Sequence, residues 1–334
     1  MSDTPTTPTS PPAGWRDAWI RFWFPATTAV PLAICRLVLV PTWLLFLSVP
    51  PDDYMVPLTY DPGRIDQAII LAVLAVVPVD LFHTEEFLRG VWLTANVAGV
   101  LATIGLFTRT SLLVMGTGFL ILIGHLWSYG ELHHTESLYC IAFVLLGLSP
   151  SGRCYSMDSW LRRRSRRARA WGPEARSDTA TWALRLIQCL LGIAYFSAGS
   201  SKLLDGGLYW MNGETLQTIV LTDYVRFGMP AGLWLIQNFW LCVAGAAMTV
   251  VVETFFFVAV FVRGIRRYML AAGVVLHMGI YLTMAAPFFT WMVLYVVFVD
   301  FEALRRRAKQ AGWASTPAAE ALLRRPRRAR GFTS

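Results

Sequence analysis

The chain has 334 residues, of which 55% are hydrophobic and only 15% are charged. Ordinary soluble domains carry about 25% charged residues, so this composition excludes a water-soluble globule, and for most of the length it excludes disorder. The net charge is +8, yet only two of the 29 basic residues are lysine, Lys202 and Lys309. The arginine excess is what a GC-rich, bacterial genome produces.

Residues 1–14 are rich in Pro, Thr and Ser and read as a disordered tail. No cleavable signal peptide is visible, because the first apolar run begins too late. Residues 15–24, WRDAWIRFWF, alternate aromatic and charged residues and read as an interfacial amphipathic helix with tryptophan anchors. Apolar runs follow at 28–49, 66–82, 88–107, 111–128, 136–149, 180–204, 231–262, 267–285 and 287–300. They predict an all-α, polytopic membrane bundle of nine spans over 15–300 with no sizeable soluble domain. Those at 66–82, 136–149 and 287–300 are short for a bilayer of about 30 Å.

Two arginine-rich segments punctuate the bundle, a loop at 150–179 and a basic tail at 301–334. The positive-inside rule places both in the cytoplasm, together with Arg263, Arg266 and Arg267. Counting back through five spans then puts the N-terminus outside, against the inside preference of Arg16 and Arg21. Beside membrane spans, such runs mark cytoplasmic loops or contacts to anionic lipid of the bilayer, not nucleic-acid binding. The expected location is a plasma membrane. The five cysteines contain no CxxC pair, and the five histidines are too scattered to define a metal site.

Ionisable groups inside spans are costly and mark function. Here they are Arg36, Arg185, Lys202, Glu253 and His277. In the sixth span Arg185, Gln188, Gly192, Tyr195, Gly199 and Lys202 recur at steps of three and four, which puts them on one helical face. A polar stripe of that length must face protein or water, not lipid. The segment FSAGSSK at its end is dense in small residues that allow close approach. Each residue also has a plainer reading. Lys202 can snorkel to the headgroups, His277 can be a hydrogen-bonded packing residue, and Glu253 can pair with an intramembrane arginine such as Arg36. His133, His134 and Glu136 can simply start a helix.

YFSAGSSKLLDGGLYWMNGETL at 195–216 resembles the central motif of the vitamin K-dependent gamma-carboxylases and of the related horizontally transferred transmembrane domain family. The flanks agree: PLAICRLVL with Arg36, HTESLY followed by SPSGRCYSMD at 149–158, and VLHMGIYLTMAAPFFTWMVL at 275–294. The resemblance spans about residues 20–300. It implies that Lys202 is the base that deprotonates a reduced, vitamin K-like quinone. The hydroquinone anion then reacts with O2 to give a strong base for carbanion formation and carboxylation. Arginine could not serve as that base, whereas a desolvated lysine can. By the same resemblance His277 and His134 belong to the catalytic site, while Tyr195, Gly199 and Trp210 line the quinol site, with no metal. Implied partners are the quinol, a peptide or small-molecule substrate and a quinone reductase.

The animal carboxylases add a large β-rich region that captures a propeptide, where this sequence has its arginine-rich tail. They also carry two lysines where Ser201–Lys202 stands. Two other functions therefore stay open. One is a non-catalytic membrane protein for maturation, export or immunity of a small peptide. The other is a transporter, which the lack of an inverted repeat disfavours.

The charge pattern makes a prediction about sidedness. In a cysteine-free background, Arg164→Cys in the 150–179 loop is expected to resist a membrane-impermeant thiol reagent in intact cells and to label after permeabilisation. Labelling from outside refutes the cytoplasmic placement.

Overall fold

The computed structural model describes residues 14–59, 84–127, 134–162, 172, 174–286 and 288–311. One unit runs to Phe298 and a second begins at Val299. The first opens with the amphipathic helix α1 (Trp15–Trp23) and a two-residue strand β1 (Thr27–Thr28). Helix α2 (Val30–Thr42) then continues as a wider π turn over Trp43–Leu47. A short α3 (Pro51–Met55) follows, then α4 (Glu85–Ile104), α5 (Thr108–Trp127), α6 (His134–Leu148) and α7 (Met157–Arg162). Trp43 sits at the centre of their packing, fully buried against Phe119, Tyr139 and Phe143.

Strand β2 (Arg176–Ser177) leads into the long helix α8 (Trp182–Gly206), which tightens into a 3-10 turn over Gly207–Asn212. Next come α9 (Glu214–Phe227), α10 (Pro230–Gln237), α11 (Phe239–Phe255), α12 (Val258–Phe261) and α13 (Arg263–Met284). The unit closes with α14 (Phe289–Val293) and a 3-10 turn over Leu294–Phe298.

Five of these helical stretches are long and apolar enough to cross a bilayer: Val30–Leu47, Glu85–Ile104, Thr108–Trp127, Asp178–Asn212 and Arg263–Met284. A sixth forms only if α10 and α11 count as one span, and they meet at 103°. Glu136–Leu148 and Phe289–Phe298 are apolar but shorter. The architecture is thus an all-α membrane bundle, but not the nine straight spans expected. The expected run 231–262 breaks at Asn238, whose amide caps the Trp234 carbonyl at 2.7 Å, and turns again at Phe256 and Phe257. Helix α9 lies where no span was expected, because its sequence is too polar to read as one.

Packing also corrects the first half of the topology. Thr27 and Thr28 pair antiparallel with Ser177 and Arg176, and Thr181 Oγ1 donates to Pro25 O at 3.0 Å. The starts of α2 and α8 therefore share one face of the bundle, called here the arginine face. At the opposite face Arg89 bridges to Asp52 at 2.7 Å, and Trp92 Nε1 donates to Val49 O at 2.9 Å. The end of α2 and the start of α4 therefore share that face. The span expected at 66–82 lies outside the described residues. The ladder alone puts the segment that enters α2 on the face of Arg176 and Ser177, as Arg16 and Arg21 favour and against the outside placement expected.

Arg36 holds the arginine face together. It is fully buried and donates to Ala102 O at 2.5 Å, Thr103 O at 2.9 Å and Tyr155 O at 2.5 Å. Two of these are last-turn carbonyls of α4, where the regular helical ladder runs out; Ala102 O also accepts from the Gly105 amide at 3.2 Å. Gly105 ends that helix with φ +73°, and a Cβ there would stand 3.0 Å from the Arg36 guanidinium. Asp158 then caps α5 from a distance, accepting from the amides of Phe107 at 3.0 Å and Thr108 at 2.8 Å. The expected pairing of Arg36 with Glu253 does not occur: the Arg36 guanidinium nitrogens donate to carbonyls at this face, and Glu253 pairs with Lys202.

The second unit contributes α15 (Phe301–Gln310) to what the sequence read as a tail. Asp300 caps it through Ala303 N at 2.9 Å, and Glu302 faces Arg306 at 3.7 Å.

Replacing Arg36 by leucine removes a donor from three carbonyls and leaves those of Thr103 and Tyr155 without their arginine partner. Buried acceptors left unpaired cost about 1–3 kcal/mol each. Arg36→Leu is expected to lower stability by about 3 kcal/mol or more, read by unfolding of the purified protein in detergent. A loss under about 1 kcal/mol refutes the role.

Candidate functional site

Helix α8 presents its polar stripe to the segment 253–261 rather than to lipid. Gly192, Gly199 and Lys202 meet that segment, while Gln188 reaches the last turn of the unit. Gly192 lies against Phe257 and Val260. Gly199 lies against the backbone of Glu253 and Thr254, and a Cβ at Gly199 would stand 2.6 Å from Thr254 N. Only a glycine lets the two helices come this close. The break at Phe256 and Phe257 keeps the 253–261 segment alongside α8 over several turns.

The contact brings Lys202 to Glu253. Their charged groups lie 2.7 Å apart, with the side chains 24% and 12% exposed. Lys202 Nζ also reaches back to Ala198 O at 3.4 Å, toward the start of its own helix. The ammonium thus turns into the bundle instead of snorkelling outward. Trp210, carried by the 3-10 turn that follows α8, places its ring 5.3 Å from Nζ. Thr254 was not singled out in the sequence. Its Oγ1 is buried beside Gly199 and has no hydrogen-bond partner among the described residues. A hydroxyl next to Glu253 in an otherwise apolar run is the signal that could have found it.

Two helical turns deeper, about 10 Å along the axis, Tyr195 forms a second polar station. Its hydroxyl bonds to His277 Nε2 at 2.5 Å and to the hydroxyl of Tyr295. Its ring stacks on Phe256 at 4.0 Å, and Trp291 and Phe288 wall the histidine. His277 is 8% exposed, and its Nδ1 has no partner among the described residues. The three groups form one chain, Tyr295–Tyr195–His277, which the histidine enters through Nε2.

Gln188 forms a third station. It donates to Val297 O at 2.5 Å and accepts from Arg185 at 3.0 Å. Glu253 thus links the first station to the second, since Phe256 follows it by one turn on the same stretch of chain.

Arg36 belongs to the arginine face and does not join the site. His134 is the first residue of α6, and its side chain lies outside the described residues. Among the described residues no cluster of His, Cys, Asp or Glu is arranged to hold a metal.

A model of the HTTM domain matches residues 72–303, which contain Lys202, Glu253, Thr254, Trp210, Tyr195 and His277. The chain belongs to the HTTM domain family. It is a membrane protein of that family, and Arg36 lies outside the matched region. No curated protein and no solved structure matches the chain. The HTTM domain here places its polar groups where α8 crosses the broken α11–α12 segment.

That crossing has a direct test. Gly199→Ala pushes a methyl group into the Thr254 backbone, and overpacking of this kind costs about 1–3 kcal/mol. The exposed Ser201→Ala, two residues away, is expected to stay within about 0.5 kcal/mol of the parent. Equal unfolding midpoints for the two variants in detergent would remove the close-contact reading.

Proposed function

We propose that this HTTM protein uses a reduced quinone and O2 to generate a strong base, with Lys202 as the residue that takes the proton. The observation that carries the reading is the Lys202–Glu253 pair at 2.7 Å, inside a helix contact and walled by Trp210. The residues fit a phenolic ligand. Thr254 Oγ1 is a buried group still in need of a partner, and Trp210 offers a ring face. Lys202, Glu253, Thr254 and Trp210 would hold the ligand. Bound there, a reduced quinone would supply an acidic hydroxyl and the electrons that reduce O2.

The chain's own part is proton handling. Paired with a carboxylate, Lys202 is an ammonium and cannot act as a base. Its proton has a place to go, however. Transfer from Nζ to the Glu253 carboxylate leaves a neutral amine and a neutral acid, and low polarity favours neutral partners over separated charges. The amine then takes a proton from a hydroxyl placed beside it. Tyr195, His277 and Tyr295 position the helices that carry this pair, and His277 Nδ1 remains available to a substrate group. Continued turnover would require a quinone reductase as partner. The acceptor substrate is a peptide or small molecule.

A second reading takes the same pair as a tie between α8 and α11 in a non-catalytic protein that serves peptide maturation, export or immunity. The pair's geometry suits both, so the substitutions must decide. Reconstituted with a reduced naphthoquinone and O2, the protein is expected to form the quinone epoxide. Lys202→Ala and Lys202→Arg are both expected to reduce the rate by about 100-fold or more, the usual loss of a general base. Arginine keeps the ion pair but does not release its proton. Full activity of Lys202→Arg refutes base chemistry and favours the tie.

A further inference from the structure

A second cluster of charged groups lies at the other end of α8, at the arginine face. Arg21 from α1, Arg185 from α8, and Arg263 and Arg266 from α13 line one cavity of about 310 Å³, with Phe22 and Phe261 as its apolar walls. Among the described residues no carboxylate makes an ion pair with any of the four. Arg185 donates to Gln188 at 3.0 Å and lies over the Phe22 ring at 4.9 Å, but its Nε is buried without a partner. Arg266 is held by Ala259 O at 2.8 Å and Val260 O at 2.9 Å, the exposed carbonyl end of α12. Four like charges around one cavity repel each other, and the scaffold holds at least two of them in place. Such a concavity is stabilised by an anion.

We infer that this cavity is a binding site for a phosphate ester group. Planar guanidinium forks match the oxygens of phosphate in bidentate pairs. The volume exceeds what a lone carboxylate fills, and the charge exceeds what a single negative group neutralises. The site is separate from the Lys202 station, since Arg185 and Lys202 stand at opposite ends of the same stripe. The setting assigns the depth. Helix α1 is amphipathic, with Trp15 82% and Trp19 57% exposed, and it is tied to α12 by the stacked Phe22 and Phe261 rings. A helix of this kind lies in the plane of the membrane interface. Its Arg21 therefore stands at headgroup level, with apolar rings next to it for the first carbons of an acyl chain.

Phosphate chemistry at that depth has two sources, a phospholipid headgroup or a soluble phosphate. Native mass spectrometry of the full chain in detergent separates them, with phosphatidylglycerol, a diacylglycerol lacking phosphate, and inorganic phosphate as probes. Phosphatidylglycerol is expected to be retained and diacylglycerol not. The exposed pair Arg21→Gln/Arg263→Gln leaves the carbonyl contacts of Arg266 intact and is expected to weaken retention about tenfold or more, since hydrogen bonds to charged groups are worth about 1.5–3 kcal/mol each. Arg16→Gln, on the same helix but outside the cavity, is expected to change nothing. Inorganic phosphate binding that is lost in the double variant, without lipid retention, supports the phosphate site and assigns the soluble source. The inference is overturned if neither probe binds, if diacylglycerol is retained equally, or if Arg16→Gln weakens binding as much as the double variant does.

Discussion

A polar group placed inside an apolar bundle has to find its partner inside that bundle. In lipid there is no water to take an unpaired hydrogen bond, and each orphan costs several kcal/mol. The structure is organised around meeting that demand along one helix. Helix α8 carries Gln188, Tyr195 and Lys202 two turns apart, and each is met by a different neighbour: the Val297 carbonyl, His277 with Tyr295, and Glu253. Gly192 and Gly199 between them bring the neighbouring backbone within reach. Without those two glycines the polar groups would point into a gap.

The same demand explains why α11 is broken. A straight helix crossing α8 at an angle touches it over one or two turns. The turn at Phe256 and Phe257, followed by the short α12, keeps the chain beside α8 from Lys202 down to Arg185. The freed carbonyls of the break then need donors, and Arg266 supplies them. One irregularity therefore serves both ends of the stripe: it presents Glu253 to the lysine and fixes an arginine at the membrane interface. On the other side of the bundle Arg36 solves the equivalent problem for the end of α4, using the carbonyls that helix geometry leaves open.

The site is therefore a by-product of a packing solution as much as a designed pocket. Lys202 and Glu253 are held by helices that must touch anyway, so their geometry is inexpensive to maintain. The chemistry proposed for them needs only that the pair be able to exchange its proton. The arginine cavity differs in kind. Among the described residues no carboxylate pairs with its charges, and the amphipathic α1 forms one of its walls.

Composition and periodicity were enough to establish a helical membrane protein, to select the stripe on α8, and to mark Lys202, Tyr195, His277 and Glu253 as residues that need a reason. The motif at 195–216 carried the family. Those properties are local: a step of three or four along one helix fixes a face whatever lies opposite. Which residue answers which was not local. Glu253 could have met Arg36 or Lys202, and only the close approach at Gly199 selected the lysine. The number of crossings was also beyond the sequence, because hydropathy counts apolar runs but not the ladder at Thr27–Ser177 or the Arg89–Asp52 bridge that puts their ends on one face. Thr254 meets Gly199 from 55 positions away, and the arginine cavity joins arginine side chains up to 245 positions apart, only through tertiary packing, for distance in space is set by how helices pack and not by their spacing in sequence.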